Sequence, residues 1–377
     1  MIKLLIVLVT VVFIAQVVRI FEIGNMLSKT KNQVSDQSNH INGIFLLIAG
    51  VGLIIFFFWQ RAKWMDQTLP IAASEHGPII DQLWDTTMGL IIVVFLLLTP
   101  LLFGVAYYFR GREDRKASYI THNNKLEFFW TAIPAVILLA LISYGLNVWG
   151  QIVNQDIKDA IVIEVYAKQF GWSARYAGED NQLGNANVRF VGGKNELGVI
   201  SEATKNSQVR LIDEKIKKLE KQIAISNNPA DKKIKYQRIE KLISKKKTLI
   251  TYFITTSKEE LLAAEDDIVT KELHLPVGKK VLFKFRSQDV IHSAYLPHFR
   301  VQMNCVPGTT TQFAFTPTIT TKEMKEELEN DLFEYVLLCN KICGNAHYNM
   351  QMKIVVETED EYNAWIESQN INKIANL

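Results

Sequence analysis

The sequence predicts membrane α-helical hairpins joined to an all-β domain, and three observations carry that expectation. Four long apolar runs occupy the first 150 residues. Short stretches rich in β-branched residues, separated by Gly, Pro and Asn, fill most of the remainder. A lysine-rich segment of helical period interrupts those strands. At 377 residues the chain has room for a membrane part and one compact domain of ordinary size. Its formal net charge of +3 singles out no partner class, and no nucleic-acid partner is expected.

The apolar runs cover residues 4–20, 44–59, 88–108 and 128–148. Each approaches or reaches the roughly 20 residues that span a bilayer. The run at 44–59 is the shortest and by length alone would suit a buried core helix; its uncharged Ile/Leu/Val/Phe content favours a span. The first run is expected to be an uncleaved helix. Lys3 before an apolar stretch would also suit a signal peptide, but no small-x-small cleavage site follows it. Orientation comes from the loop after the third run, where Arg110, Arg112, Arg115, Lys116 and Lys125 mark the cytoplasmic side. The third helix then runs inward and the fourth outward, so everything after about residue 150 lies outside the cytoplasm. Lys29 and Lys31 fall inside, and Asp66, Glu75, Asp81 and Asp85 fall outside, in agreement with one four-helix topology.

Beyond the membrane part, residues 161–167, 272–276, 280–286, 312–315, 333–338 and 352–357 read as strands, which together suggest a β-sandwich. Thr358 and Glu361 fit a capping box that opens a final helix. Residues 178–265 depart from the strand pattern. Between 205 and 247, 14 Lys/Arg face only 5 Asp/Glu, an excess of nine positive charges. Val209, Ile212, Ile216, Leu219 and Ile223 form a heptad seam, Asn228-Pro229 reads as the cap and first position of a second helix, and Tyr236, Ile239, Ile243 and Ile250 continue the seam. The inference is an antiparallel basic hairpin over about 205–252. Its surface either docks an acidic partner or lipid headgroups, or is a solvated face.

The densest chemistry lies in Cys339-Asn340-Lys341-Ile342-Cys343-Gly344-Asn345-Ala346-His347-Tyr348-Asn349-Met350. Thiolate, imidazole and thioether are soft or borderline ligands that suit copper rather than magnesium or calcium. A mononuclear blue-copper site needs one cysteine; two cysteines at this spacing allow both sulfurs to bridge a pair of copper ions. That reading needs a second histidine, and His292 in Asp289-Val290-Ile291-His292-Ser293 is the candidate. A disulfide is the competing use of two extracytoplasmic cysteines. Cys305 has no neighbouring ligands in sequence and reads as a small buried residue.

Asp-Val-Ile-His-Ser at 289–293, Val306-Pro307-Gly308 and the Cys-x3-Cys-Gly-x2-His-x2-Met run resemble the subunit 2 family of the haem-copper cytochrome c oxidases. The resemblance implies a cupredoxin-like Greek-key sandwich holding a binuclear copper centre, CuA. Cys339 and Cys343 would bridge, His292 and His347 would each bind one copper, and Met350 and the Lys341 backbone carbonyl would be weak ligands. It implies an electron-transfer subunit of a proton-pumping terminal oxidase. Cytochrome c or a c-type cytochrome domain would donate electrons, and haem in catalytic subunit 1 would reduce dioxygen to water. Other oxidase subunits and a respiratory supercomplex are further expected partners, in a bacterial-type inner membrane. Gln169-Phe170-Gly171-Trp172 resembles the family's aromatic segment where electrons come in. Phe170 stands where the family has its usual tryptophan, so Phe170 and Trp172 share that role. Glu127 occupies the position of the carboxylate at the mouth of a proton pathway, although a helix N-terminal acid would also sit there. Lys341 replaces the usual Glu and Asn304 an Asp, so an interface magnesium site is expected to be lost or rebuilt.

The expected layout is two additional membrane helices in 1–60, a membrane hairpin in 61–150, the CuA domain in 151–360 with its insertion at 178–265, and a C-terminal helix in 361–377. Three other readings stay open at this point: a copper-free quinol oxidase subunit, a nitrous oxide reductase CuA domain and a copper-delivery protein. Retention of the whole Cys/His/Met set argues against the first. No Cys-x-x-Cys-His occurs, so no c-type haem is fused to the chain.

Overall fold

The computed structural model of the chain describes residue 14, residues 16–20 and residues 36–376. Among the described residues three helices are long and apolar enough to cross a membrane: α1 (Asp36–Trp64), α2 (Gly77–Tyr108) and α3 (Asn124–Val153). The expectation was four. The first expected run, residues 4–20, lies largely outside the described residues.

The chain divides into two compact units, residues 1–69 with 83–144, and residues 70–82 with 145–377. In the first, α1 packs antiparallel to α2. Asp36 Oδ1 accepts from the Glu113 N–H at 2.9 Å, and Asn39 donates to the Gly111 carbonyl at 3.0 Å. Gly43 and Gly50, seven residues apart, are buried where Tyr107 and Phe103 press on α1. A Cβ at Gly50 would lie 2.7 Å from the Phe103 ring, so close helix approach requires the missing side chain.

The second unit is built on two five-stranded sheets. One has the order β3-β2-β1-β5-β8 and the other β4-β10-β9-β6-β7. The strands are β1 (Ile161–Lys168), β2 (Gly171–Tyr176), β3 (Ile268–Thr270), β4 (Leu273–Pro276), β5 (Val281–Ser287), β6 (His292–Leu296), β7 (Val301–Cys305), β8 (Thr311–Phe315), β9 (Tyr335–Cys339) and β10 (Gln351–Glu357). Ile163, Val165, Phe283, Phe285 and Phe315 of the first sheet share one core with Ala294, Leu296, Leu337, Ile354 and Val356 of the second. Strands β2, β3, β6 and β7 were absent from the sequence expectation. They are short, and Gly171-Trp172 carried an aromatic signal that masked the strand.

Residues 70–82 belong with the sandwich. The Arg300 guanidinium grips both Asp81 oxygens, at 2.7 and 2.9 Å, and also donates to the Pro70 carbonyl. The Ala73 N–H donates to the His298 carbonyl at 2.7 Å.

The insertion joins β2 to β3, which pair antiparallel, so it is an overgrown hairpin connection. It contains α4 (Glu202–Ile225), α5 (Pro229–Thr255) and the short α6 (Lys258–Leu262). Ser201 and Thr204 cap α4 reciprocally, and Asn228 caps α5 with Pro229 at its first position. The expected seam on the second helix is out of phase. Leu242, Leu249 and Phe253 face Ile212 and Ile216, while Tyr236 and Ile243 are 56% and 54% exposed. The phase is set where Phe190 and Ile200 join this cluster at the hairpin's base, and both candidate stripes on α5 are apolar enough to have served.

The outer face of β1 is buried as well, because Tyr166 is covered by Leu197, Val199, Ala264 and Ile374. The expected C-terminal helix over 361–377 instead starts earlier and stops sooner. Helix α7 (Glu359–Ser368) begins at its Thr358–Glu361 capping box. The chain then leaves the helix through two tight turns, Gln369–Asn372 and Ile374–Asn376, because Ile374 is drawn into the cluster over β1 and donates its N–H to the Asp267 carbonyl.

Candidate metal centre

The loop from β9 to β10 is pinned at both ends. Cys339 N–H donates to the Met350 carbonyl at 3.0 Å, and Asn340 N–H donates to the Ser293 carbonyl at 2.9 Å. Antiparallel pairing of β9 with β6 sets Ala294 opposite Cys339, so His292, the first residue of β6, stands beside the cysteine. Both loop bases therefore belong to one sheet, which fixes where the donor-bearing loop starts and ends.

The donor atoms form a continuous chain. His292 Nδ1 lies 3.7 Å from Cys339 Sγ, which lies 3.9 Å from Cys343 Sγ. Cys343 Sγ is 3.6 Å from His347 Nδ1 and 3.7 Å from Met350 Sδ, and the Lys341 carbonyl oxygen is 3.3 Å from Cys339 Sγ. All six residues expected as ligands are thus brought together. The sulfurs stand well beyond the roughly 2.05 Å of a disulfide, and both cysteines are free. One imidazole thus lies against each sulfur, His292 against Cys339 and His347 against Cys343. His292, Cys339 and Cys343 place their ligand atoms within 4.8 Å of one another.

Asp289 controls the His292 ring. Its Oδ1 lies 2.9 Å from His292 Nε2 and accepts from Val290 N–H at 2.7 Å, while Oδ2 accepts from Gln169 N–H at 2.7 Å. Burial works against its ionisation, but the His292, Gln169 and Val290 hydrogen bonds prevail and hold its carboxyl below the usual range. Occupying Nε2 leaves Nδ1 free to ligate. Burial, with the neighbouring Cys339 thiol, pushes the Cys343 thiol up to about 11. A cationic metal is therefore what would hold that sulfur as a thiolate. Burial pushes Cys305 up to about 12, and it remains an inert core residue paired across from His292.

Gln169 was not assigned a role from sequence, yet its side chain donates to the Cys343 carbonyl and its N–H to Asp289. Its position beside the aromatic segment was the available signal. Phe170 and Trp172 occupy different places. Phe170 is 42% exposed and lies over Gly344, whose φ of +143° and missing Cβ make room for it; a Cβ there would sit 2.8 Å from the ring. Trp172 is 4% exposed, faces the His292 ring edge-on at 6.1 Å and donates Nε1–H to the Met350 carbonyl at 3.4 Å. Glu127 is far off in sequence, in the first turn of α3. Its Oε1 accepts from Asn123 N–H at 3.3 Å, and Asn123 Oδ1 caps Leu126, a reciprocal helix start.

Comparison with known proteins settles the family. The family model for the cytochrome c oxidase subunit II transmembrane domain matches residues 62–148, and that for the subunit II periplasmic domain matches residues 234–359. The chain belongs to the cytochrome c oxidase subunit II family. Among its relatives, the alternative cytochrome c oxidase subunit 2 of Bradyrhizobium diazoefficiens is 28% identical over 86% of this chain and 91% of its own length. Cytochrome c oxidase subunit 2 of Thermostichus vulcanus is 25% identical over 85% and 84%. That of Cereibacter sphaeroides is 25% identical over 79% and 77%. As a subunit II, this chain is a membrane protein with a β-rich periplasmic domain and an electron-transfer subunit of a haem-copper oxidase. The subunit II family implies copper binding, and the convergent Cys/His/Met donors fit that metal.

Proposed function

We propose that this chain holds a binuclear CuA centre on a cupredoxin-like Greek-key sandwich. It would take electrons from cytochrome c or a c-type cytochrome domain and pass them to haem in catalytic subunit 1, where dioxygen is reduced to water with proton pumping. The observation that carries the reading is the unbridged sulfur pair, 3.9 Å apart, with one imidazole Nδ1 against each thiol. Cys339 and Cys343 are the bridging ligands, His292 and His347 the terminal ones, and Met350 and the Lys341 carbonyl the weak ones. When bound, a copper pair sharing two sulfurs spreads one unpaired electron over both ions.

The protein's part is rigidity. Asp289 fixes the His292 tautomer, Gln169 and Trp172 clamp the loop through the Cys343 and Met350 carbonyls, and the sheet holds both loop bases. A site held in one shape reorganises little on electron transfer. Phe170, exposed over the loop, is the residue a donor touches first, and Trp172 conducts inward beside His292. Glu127 receives protons at the mouth of a pathway into the catalytic subunit. The Lys341 ammonium cannot ligate magnesium, so an interface magnesium is lost or held by other groups. The chain works in a bacterial-type inner membrane with other oxidase subunits, within reach of a respiratory supercomplex.

Stopped-flow mixing of the intact complex with reduced cytochrome c tests this reading. Cytochrome c oxidation should be fast in the wild type and lost in Cys339→Ser; an undiminished rate in that variant contradicts it.

A further inference from the structure

A second polar centre lies on the outer face of the β3-β2-β1-β5-β8 sheet, in a cavity of about 990 Å³. Strands β1, β2 and β5 form its floor, and segments 183–189 and 307–310 form its walls. The floor is a buried ionic quartet. Arg175 pairs with Glu164 Oε2 at 2.6 Å and with Asp267 Oδ2 at 2.8 Å, and Arg286 pairs with Glu164 Oε1 at 2.7 Å. Arg175, Glu164 and Asp267 are almost wholly buried. Two guanidiniums thus meet two carboxylates. Burial pushes Asp267 up to about 7 despite Arg175, so near neutral pH the quartet is neutral or positive and never negative.

Two further cations line the cavity with no ion pair to a carboxylate among the described residues. Lys284 extends from β5 on the same face as Arg286, across from Glu164 of β1, and the Arg189 guanidinium from the wall donates to the Tyr252 hydroxyl at 3.1 Å and lies over that ring. Thr309 and Thr310 add hydroxyls on the opposite wall. The uncompensated charge is therefore at least +2, inside a concavity of ligand size.

We propose that this cavity binds a small dianion of the phosphate class, with Lys284 and Arg189 as its charge partners and Arg286 as a supporting donor. Phosphate oxygens accept charge-assisted bonds from just such guanidinium and ammonium groups. A bound dianion would tie the start of the insertion to the sheet. The chemistry is shared by inorganic phosphate and by a phosphomonoester such as glycerol 3-phosphate.

The test uses the intact oxidase complex in phosphate-free buffer, titrated with radiolabelled inorganic phosphate and separately with glycerol 3-phosphate. One saturable site per chain is expected for at least one of them, and the tighter ligand identifies the source. Affinity should fall about tenfold or more in Lys284→Glu and in Arg189→Glu, since each loses a charge-assisted bond. Lys245→Glu, on the hairpin outside the cavity, should bind as the wild type does. If Lys284→Glu fails to assemble, Lys284→Met serves with the same expectation. Absence of saturable binding of either ligand to the wild type overturns the proposal, as does an equal loss in Lys245→Glu.

Discussion

Asp289 holds His292 Nε2 at 2.9 Å while its other oxygen takes the Gln169 N–H at 2.7 Å, so one carboxylate joins the His292 ring to the strand pair that carries Phe170. The loss of such a partner to a ligating imidazole typically costs about 10–100-fold in metal affinity. Asp289→Ala should weaken copper retention by about that factor while the sandwich stays folded. Competition with a copper chelator, read beside the thermal transition of the complex, checks this outcome.

Exposure separates the two aromatics. Phe170→Ala should slow electron delivery from a reduced donor and leave the copper spectrum unchanged, because the ring lies exposed over Gly344 and is not among the donor residues. Trp172→Ala should cost about 3–5 kcal/mol of stability, the usual range for a buried large aromatic. Stopped-flow rates should fall in both variants, while the melting curve should shift only in Trp172→Ala.

Removing Arg175 strands Asp267 and leaves Glu164 with Arg286 alone. Glu164 and Asp267 are both buried, and each is held by that guanidinium. Breaking a buried pair by deleting one partner costs about 3–5 kcal/mol, so Arg175→Ala should lower the melting temperature sharply. A double replacement of Arg175 and Asp267 by apolar residues should recover part of the loss, since Glu164 keeps Arg286.

His298 supplies a pH dependence. Burial, assisted by Arg300, pushes its imidazole from 6.5 down to about 4. Between those values the unfolded chain binds the proton and the folded chain does not. Stability is therefore full above about pH 6.5 and declines as pH falls toward 4, by on the order of 2 kcal/mol after allowance for partial exposure. Burial lowers His76 in the same direction. His298→Leu should flatten the dependence relative to wild type, as read by denaturant midpoints across pH 4–7.

The convergence of the donor residues was legible because four side chains fall within twelve residues and the fifth, His292, lies in a short motif that opens β6. The membrane helices α1 to α3 were legible from apolar length. The ionic quartet was not, since Arg175 meets Asp267 across 92 positions and no local pattern pairs them. The phase of α5 was hidden for a different reason. Tyr236 and Ile243 lie on a stripe as apolar as the one that packs, and only docking on Phe190 chooses between them. Gln169 escaped notice because its function rests on two backbone groups, the Cys343 carbonyl and its own N–H.

The most direct measurement is a copper count with electron paramagnetic resonance on the purified intact complex, for the wild type and for Cys343→Ser. The wild type should hold, in this subunit, two copper ions sharing one unpaired electron, and the variant should lose that signal. A complex with one copper or none in this subunit that still oxidised cytochrome c at full rate would contradict the account.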